Sequence, residues 1–341
     1  MSTILVTGAA GFIGSNFVRH WRTTHPDDRI VAVDLLTYAG NRPNLTDVEA
    51  EAGDRFVFVQ ADIGDEPAMV AALDDHDVDV VVNFAAESHN SLAILDPGRF
   101  MRTNALGTQV LCDAARRVGV ERFHHVSTCE VYGDLALDDP DAFTEESPYR
   151  PRTPYNASKA AADHIVRAYH ETFDLPITIT NCSNNYGPFQ FPEKVIPVFT
   201  TRALNDEVLP LYESTANRRE WPHVDDHCRA IDLVLGRGRV GETYNVGSGV
   251  EASIVEIADL VLDASGKPAS LKTIVPDRPG HDRRYLLDSS KLRSELGWEP
   301  QVAFDEGVRG TVAWYAANRD WWEPLRDRAP VVEDAWATSG T

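Results

Sequence analysis

The stretch Ser2–Trp21, STILVTGAAGFIGSNFVRHW, constrains the fold more than any other part of the chain. An apolar β-type run ends in three glycines, Gly8, Gly11 and Gly14, and Phe12, Ile13, Phe17, Val18 and Trp21 then recur at helical spacing. This predicts strand, tight turn, helix. Glycines let a backbone come close to a pyrophosphate, and the helix N-terminus behind them offers free N–H groups and a positive dipole end. The next apolar run, IVAVD, closes on Asp34, twenty residues after Gly14. A carboxylate there can bond the ribose hydroxyls of an adenosine and repels a 2′-phosphate, so the pattern favours NAD over NADP.

The chain carries its own control for this motif. GRGRVG, Gly236–Gly241, has the same glycine spacing, but it follows the helix-like CRAIDLVL and precedes the strand-like ETYNVGS. That order is reversed, and the segment reads as a loop. After Asp34 the chain alternates FVFVQADI, EPAMVAALDD, VDVVVNFAAES, RTNALGTQVLCDAARRVG and RFHHVST. Strands and helices in this alternation predict an α/β fold, a Rossmann-type doubly wound parallel sheet with ligands at the C-terminal strand ends. Asp62, Ala85–His89 and Ser127–Glu130 fall at such ends. From Gly187 the alternation breaks down, and Pro188, Pro192, Pro197 and Pro210 mark the loops of a smaller mixed α/β substrate-binding lobe. The expected division is 1–186 plus 229–250 for the NAD-binding domain, 187–228 plus 251–326 for the substrate lobe, and 327–341 for a tail.

A formal charge of −21 argues against nucleic acid as a partner, because phosphate backbones need a basic face. An anionic small ligand would instead need a local basic pocket. The chain has no apolar run of about 18 residues, and its start lacks a basic flank and a long apolar run. Its four cysteines are widely spaced without a C-x-x-C pair. These features predict a soluble cytoplasmic protein without a membrane partner. HVDDH spaces His223 and His227 like a metal pair, but no third ligand stands at metal spacing, so no metal is expected.

YNASK places Tyr155 and Lys159 four apart on one helix face. A neighbouring ammonium favours the phenolate and lowers a tyrosine pKa from about 10, which makes Tyr155 a base for an alcohol proton while hydride leaves the same carbon. TGAAGFIG, STCEVYG and YNASK together resemble the extended short-chain dehydrogenase/reductases. DLLTYAGN, AAESH, NCSNNYGPFQFPEKVIP, NRREWPHVDDH, YNVGSG and DRPGHDRRYLLDSSKLRSELGW narrow this. They resemble the NAD-dependent nucleoside-diphosphate-glucose 4,6-dehydratases, above all the dTDP-glucose enzymes, from Ser2 to about Trp322.

The resemblance implies C4 oxidation of a bound dTDP- or UDP-glucose, elimination of water across C5 and C6, and hydride return to C6. It assigns the alcohol proton to Tyr155, helped by Lys159 and Thr128, and the C5 proton to Glu130. It adds Phe12, Ile13, Leu35, Thr37, Asp62, Ile63, Ala85, Ala86, Ser88, Thr103 and Asn185 to the cofactor contacts. It places the sugar nucleotide against His89, Thr128, Asn184, Glu193, Lys194, Val195, Pro210, Tyr212, Arg219, Asn245, Arg278 and His281. It also implies a homodimer through helices near 100–118 and 155–172.

Two places depart from the family pattern, one of a single residue and one of three. Cys129 stands where the family has an aspartic acid that protonates the departing C6 oxygen, and a thiol is a weak donor. It fills space, or acts as the acid, or marks an enzyme that returns hydride to C4 and leaves an exocyclic 5,6 double bond. Asn90, Ser91 and Leu92 follow His89 where the family reads Val-Asp-Arg. Glu130 argues against a 4-epimerase, which needs no C5 base. The EKVIP and DRPGHDRRY segments argue against a glucuronate decarboxylase, and the intact Thr128, Glu130, Tyr155, Lys159 set argues against a non-catalytic scaffold.

Overall fold

The structure, a computed structural model, describes residues 1–277 and 280–329. Arg278 and the tail from residue 330 onward therefore lie outside the described residues. Its strands are β1 (Thr3–Thr7), β2 (Arg29–Asp34), β3 (Phe56–Gln60), β4 (Val80–Asn83), β5 (Arg122–Thr128) and β6 (Ile177–Cys182), then β7 (Leu209–Tyr212), β8 (Arg218–Glu220), β9 (Thr243–Val246), β10 (Glu251–Ser253) and β11 (Lys272–Val275).

Seven of them form one parallel sheet in the order β3-β2-β1-β4-β5-β6-β9. A parallel sheet is covered by helices on both faces, so its strands read as continuous apolar runs rather than alternating ones. Successive residues nonetheless point to opposite faces. Ile4, Val6 and Ile30 pack with Phe17 and Ile231 on one side, and Leu5, Val31 and Val81 pack with Leu111 and Phe123 on the other. The chain runs outward from β1 to β3, then crosses back to lay β4 on the other side of β1. This reversal opens a crevice at the C-terminal strand ends, where open α/β sheets bind ligands.

The glycine turn works by close approach. Gly8 takes φ +62°, and a Cβ there would lie 2.8 Å from the Ala85 nitrogen. On Gly14 a Cβ would overlap the Gly8 carbonyl oxygen, so only glycine lets the helix Phe12–Thr24 start this close to β1. The second glycine motif is a connection, as the order of elements predicts. Gly236 and Arg237 end the helix Val224–Arg237, and Gly241 turns at φ +86° into β9.

One element differs from the helix expected over 102–119. Met101–Gly107 winds as a π-helix before the α-helix Thr108–Val118. The wider turn lets Asn104 accept from the Glu87 N–H at 2.8 Å and donate to Ser158 Oγ at 2.8 Å. The segment after β4 is thereby tied to the helix Pro154–Phe173.

A second core gathers Tyr186, Ile196, Phe199, Leu211, Trp221, Ile257, Val261 and Val312 beyond the sheet. Small pairs β8–β10 and β7–β11 flank it. Among the described residues no helix is long and apolar enough to cross a membrane. No group of three or more His, Cys, Asp or Glu among them is placed to hold a metal ion.

Candidate active site

A cleft of about 1370 Å³ opens along the strand ends between the sheet and the second core. Every expected cofactor residue lines it: Gly8, Gly11, Phe12, Ile13 and Gly14 from the first turn, Asp34, Leu35 and Thr37 after β2, Asp62 and Ile63 after β3, Ala85, Ala86 and Ser88 after β4, and Thr103, Tyr155, Lys159 and Asn185. These residues come from separate strand ends, and the sheet brings them together.

Asp34 is held rigidly at the rim. Its carboxylate accepts from the N–H of Ala10 at 2.9 Å and of Leu36 at 2.7 Å. Burial pushes its pKa up, and the two N–H groups oppose the shift. The crowded glycine turn, a helix N-terminus behind it and a fixed carboxylate after β2 fit a dinucleotide.

Thr128, Cys129 and Glu130 sit where β5 breaks into the short turn Cys129–Tyr132, whose Glu130 N–H donates to Thr128 Oγ1 at 3.3 Å. Thr153 caps the helix Pro154–Phe173, and this helix carries Tyr155 and Lys159 to the same corner. Tyr155 packs edge-on to Phe100 with ring centroids 6.3 Å apart. Burial raises its pKa well above 10, the charge of Glu130 adds to this, and a hydrogen bond with Thr128 opposes it.

The spacing of YNASK predicts that Lys159 lowers the Tyr155 pKa, but burial dominates and the net shift is upward. Lys159 Nζ donates to the Val126 carbonyl at 2.8 Å and lies 3.2 Å from His125 Nε2. Burial lowers the Lys159 pKa, and Asp163 opposes that. His125, pushed down to about 4 by burial and by Lys159, stands 3.4 Å from Asp163. Helical spacing puts Tyr155 and Lys159 on one face, but the ammonium is anchored on the Val126 carbonyl beside His125.

Cys129 is 1% exposed, and burial followed by Glu130 raises its pKa well above 9. It is a neutral thiol beside a carboxylate. Cys182, at the end of β6, is likewise raised to about 12 by burial.

Of the expected sugar-nucleotide residues, His89, Asn184, Glu193, Lys194, Val195, Pro210, Tyr212, Arg219 and His281 line the cleft together with Thr128. Among the described residues Asn184 Oδ1 and Glu193 Oε2 are buried acceptors with no hydrogen bond inside the protein. Unsatisfied buried acceptors are costly, and hydroxyl groups of a bound sugar would satisfy them. Arg219 is less free than a phosphate fork would be. Its guanidinium donates to the carbonyls of Arg218, Arg283 and Asp282 and lies over the Tyr285 ring.

Asn245 is a correction. It does not line the cleft; its Oδ1 accepts from Tyr132 Oη at 2.9 Å and its Nδ2 donates to the Phe143 carbonyl at 3.0 Å. Both ends of the amide are used to fasten β9 to neighbouring loops.

Sequence reasoning missed several cleft residues. Tyr38 donates to Glu193 Oε1 at 3.1 Å, joining the two sides of the cleft. It sits in the DLLTYAGN motif, so a signal existed. Glu323, Arg326 and Asp327 also reach the wall, and no local pattern announces a contact that distant in the chain. Asn90 lines the cleft as well and donates to Glu130 Oε2 at 3.2 Å.

The family model described as GDP-mannose 4,6 dehydratase matches residues 5–311. A curated protein of Xanthomonas campestris pv. campestris, dTDP-glucose 4,6-dehydratase, is 47% identical over 99% of this chain and 100% of its own length. The crystal structure of DesIV, a dTDP-glucose 4,6-dehydratase from Streptomyces venezuelae with NAD bound, superimposes with a TM-score of 0.91 at 50% identity, covering 95% of this chain and 99% of that one. A UDP-glucose 4-epimerase of Thermotoga maritima, solved with UDP-glucose, is 28% identical with a TM-score of 0.86 over 93% of this chain and 99% of its own. The fold alone thus serves more than one reaction.

Proposed function

The chain belongs to the nucleotide-sugar 4,6-dehydratase family, among the dTDP-glucose 4,6-dehydratases, and from that premise we propose how its own residues carry out the reaction. The enzyme is NAD-dependent and converts a nucleoside-diphosphate glucose, dTDP-glucose in this reading, to the 4-keto-6-deoxy product. The observation that carries the assignment is the meeting of Thr128, Glu130, Tyr155 and Lys159 in one cleft beside the glycine turn.

Gly8, Gly11, Gly14, Asp34 and the strand-end residues after β3 and β4 hold the dinucleotide, within 1–186 plus 229–250. When bound, NAD supplies reversible hydride storage, taking hydride from C4 and returning it to C6. Tyr155 accepts the C4 hydroxyl proton. Burial and the charge of Glu130 keep its phenol neutral, and the hydrogen bond with Thr128 favours the phenolate; a bound oxidised cofactor would add positive charge in the same sense. The new ketone acidifies the C5 proton, and Glu130 takes it. The electron pair moves toward C6 as the C6–O bond breaks and the hydroxyl leaves as water.

Cys129 stays neutral, so it gives Glu130 no like-charged neighbour at that position. Protonated Glu130 then gives its proton to the departing oxygen, and a solvent proton, delivered through the emptied Glu130 carboxylate, later replaces the one lost from C5. Glu193 and Lys194 from 187–228 plus 251–326, with Asn184 from 1–186, bind sugar and diphosphate, and His281 and Arg219 line the nucleotide end. The exposed Leu106 and Met101 of the segment near 100–118 support a homodimer face there, shared with 155–172.

Incubation with dTDP-glucose and UDP-glucose, followed by mass and proton NMR, tests this reading. Loss of one water with a new C6 methyl doublet supports it. Vinylic protons without a methyl signal would put the chain with enzymes that return hydride to C4.

A further inference from the structure

Asn90 Nδ2 donates to Glu130 Oε2 at 3.2 Å, and Asn90 Oδ1 accepts from the Thr153 hydroxyl at 3.1 Å. Thr153 Oγ1 in turn accepts from the Asn156 N–H at 3.2 Å, which caps the helix of Tyr155 and Lys159. The amide can face only one way. A carboxylate accepts, so the NH2 group must point to Glu130, and the hydroxyl that already accepts an N–H has its one proton left for Oδ1. Every group in the relay uses a donor or acceptor that suits its neighbour.

We propose that Asn90 is a positioning residue for the C5 base: it holds the ionised Glu130 carboxylate in the cleft and ties it to the cap of the helix that presents Tyr155. This rests on the dehydratase reading above. Proton removal from C5 needs the carboxylate ionised and fixed in place. A hydrogen bond from a neutral donor to the charged form serves both needs. The relay also sets the spacing between the two proton-transferring side chains, since Glu130 and Tyr155 come from elements joined here through one amide.

The surroundings make Glu130 readable. Cys129 of its own turn, Tyr155 of the capped helix, Cys182 of β6 and Tyr285 all feel its charge, and burial raises each of them, Cys182 to about 12. These four stay neutral through the working range. Glu220 of β8, which faces Cys129, is pushed up to about 7 by burial, but its oxygens accept from the N–H groups of Gly249 and Leu287 and not from Asn90. The cations nearby are engaged elsewhere, Arg219 on backbone carbonyls and Lys159 on Val126. His89, which precedes Asn90 and caps its helix, is the other titratable group at this corner, so a limb that moves when Asn90 is changed and is lost in Glu130→Gln belongs to Glu130.

The test is the pH profile of kcat for dTDP-glucose in the wild-type protein, Asn90→Val and Asn90→Asp, each with its NAD content and melting curve measured. Removing a donor to the ionised form raises the Glu130 pKa, so the acid limb moves to higher pH. We expect a shift of about one unit and a roughly tenfold lower kcat in Asn90→Val, the size of one charge-assisted bond. Asn90→Asp sets two carboxylates together and shifts the limb further. KM stays near the wild-type value, and reduced cofactor accumulates because C4 oxidation outruns C5 proton removal. If the wild-type protein turns over dTDP-glucose and both variants keep the wild-type limb, Asn90 does not position the base. If the wild-type protein fails to turn it over, the dehydratase reading falls first. A variant that loses kcat with no limb shift and a lowered melting temperature assigns Asn90 a structural role and overturns the proposal.

Discussion

The cofactor end and the reacting corner of the cleft are built from different materials. At the cofactor end the work is done by backbone: glycines that admit close approach, a helix start, and a carboxylate held by two N–H groups. At the reacting corner it is done by side chains that correct one another's chemistry, with a buried neutral thiol, an amide holding a carboxylate, and an ammonium anchored to a carbonyl. Backbone sites are set by local sequence and tolerate little change of residue. Side-chain sites can exchange parts, and both departures from the family pattern fall in that corner.

Replacing Tyr155 with Phe should have the largest effect, because it removes the hydroxyl assigned to the C4 proton while Glu130 is committed to C5. We expect turnover to drop by roughly 10²–10⁴ with NAD content unchanged, read by product assay and by cofactor extraction. Retained turnover would move the base elsewhere and break the contrast at its reacting end. Gly14→Ala probes the other end. Its Cβ meets a backbone oxygen that cannot rotate away, so destabilisation of roughly 1–3 kcal/mol and loss of bound NAD should appear together in melting and extraction. A variant with full cofactor content would show that the turn tolerates a side chain. The smallest catalytic effect belongs to Asn245→Ala. Leaving the Tyr132 hydroxyl proton without its acceptor and the Phe143 carbonyl with Asp288 N–H alone should cost about 1–3 kcal/mol of stability with an unchanged KM for the sugar nucleotide. A raised KM at full stability would bring Asn245 back to the substrate.

The sequence was most readable where structure is local. The glycine turn, Asp34 and the strand ends after β3, β4 and β5 follow from periodicity and spacing, and the parallel sheet follows from alternation. It was least readable where partners lie far apart. Asn90 and Glu130 are 40 residues apart, and only the sheet brings their chain segments together. Helical spacing put Lys159 beneath Tyr155, but it could not show that the ammonium reaches for Val126 and His125. Asn245 sat in a motif of the right kind, and burial with two internal partners removed it from the cleft. The π-helix at Met101–Gly107 follows the same lesson, since its wider turn serves Asn104 contacts that no local pattern encodes.

The most direct test uses dTDP-glucose carrying deuterium at C4, turned over by the wild-type protein and examined by NMR. Deuterium in the C6 methyl group of a 4-keto product is the predicted result, with the C5 proton exchanged for solvent. Deuterium returned to C4, beside an exocyclic 5,6 double bond, would contradict the account and make Cys129 the mark of a different enzyme.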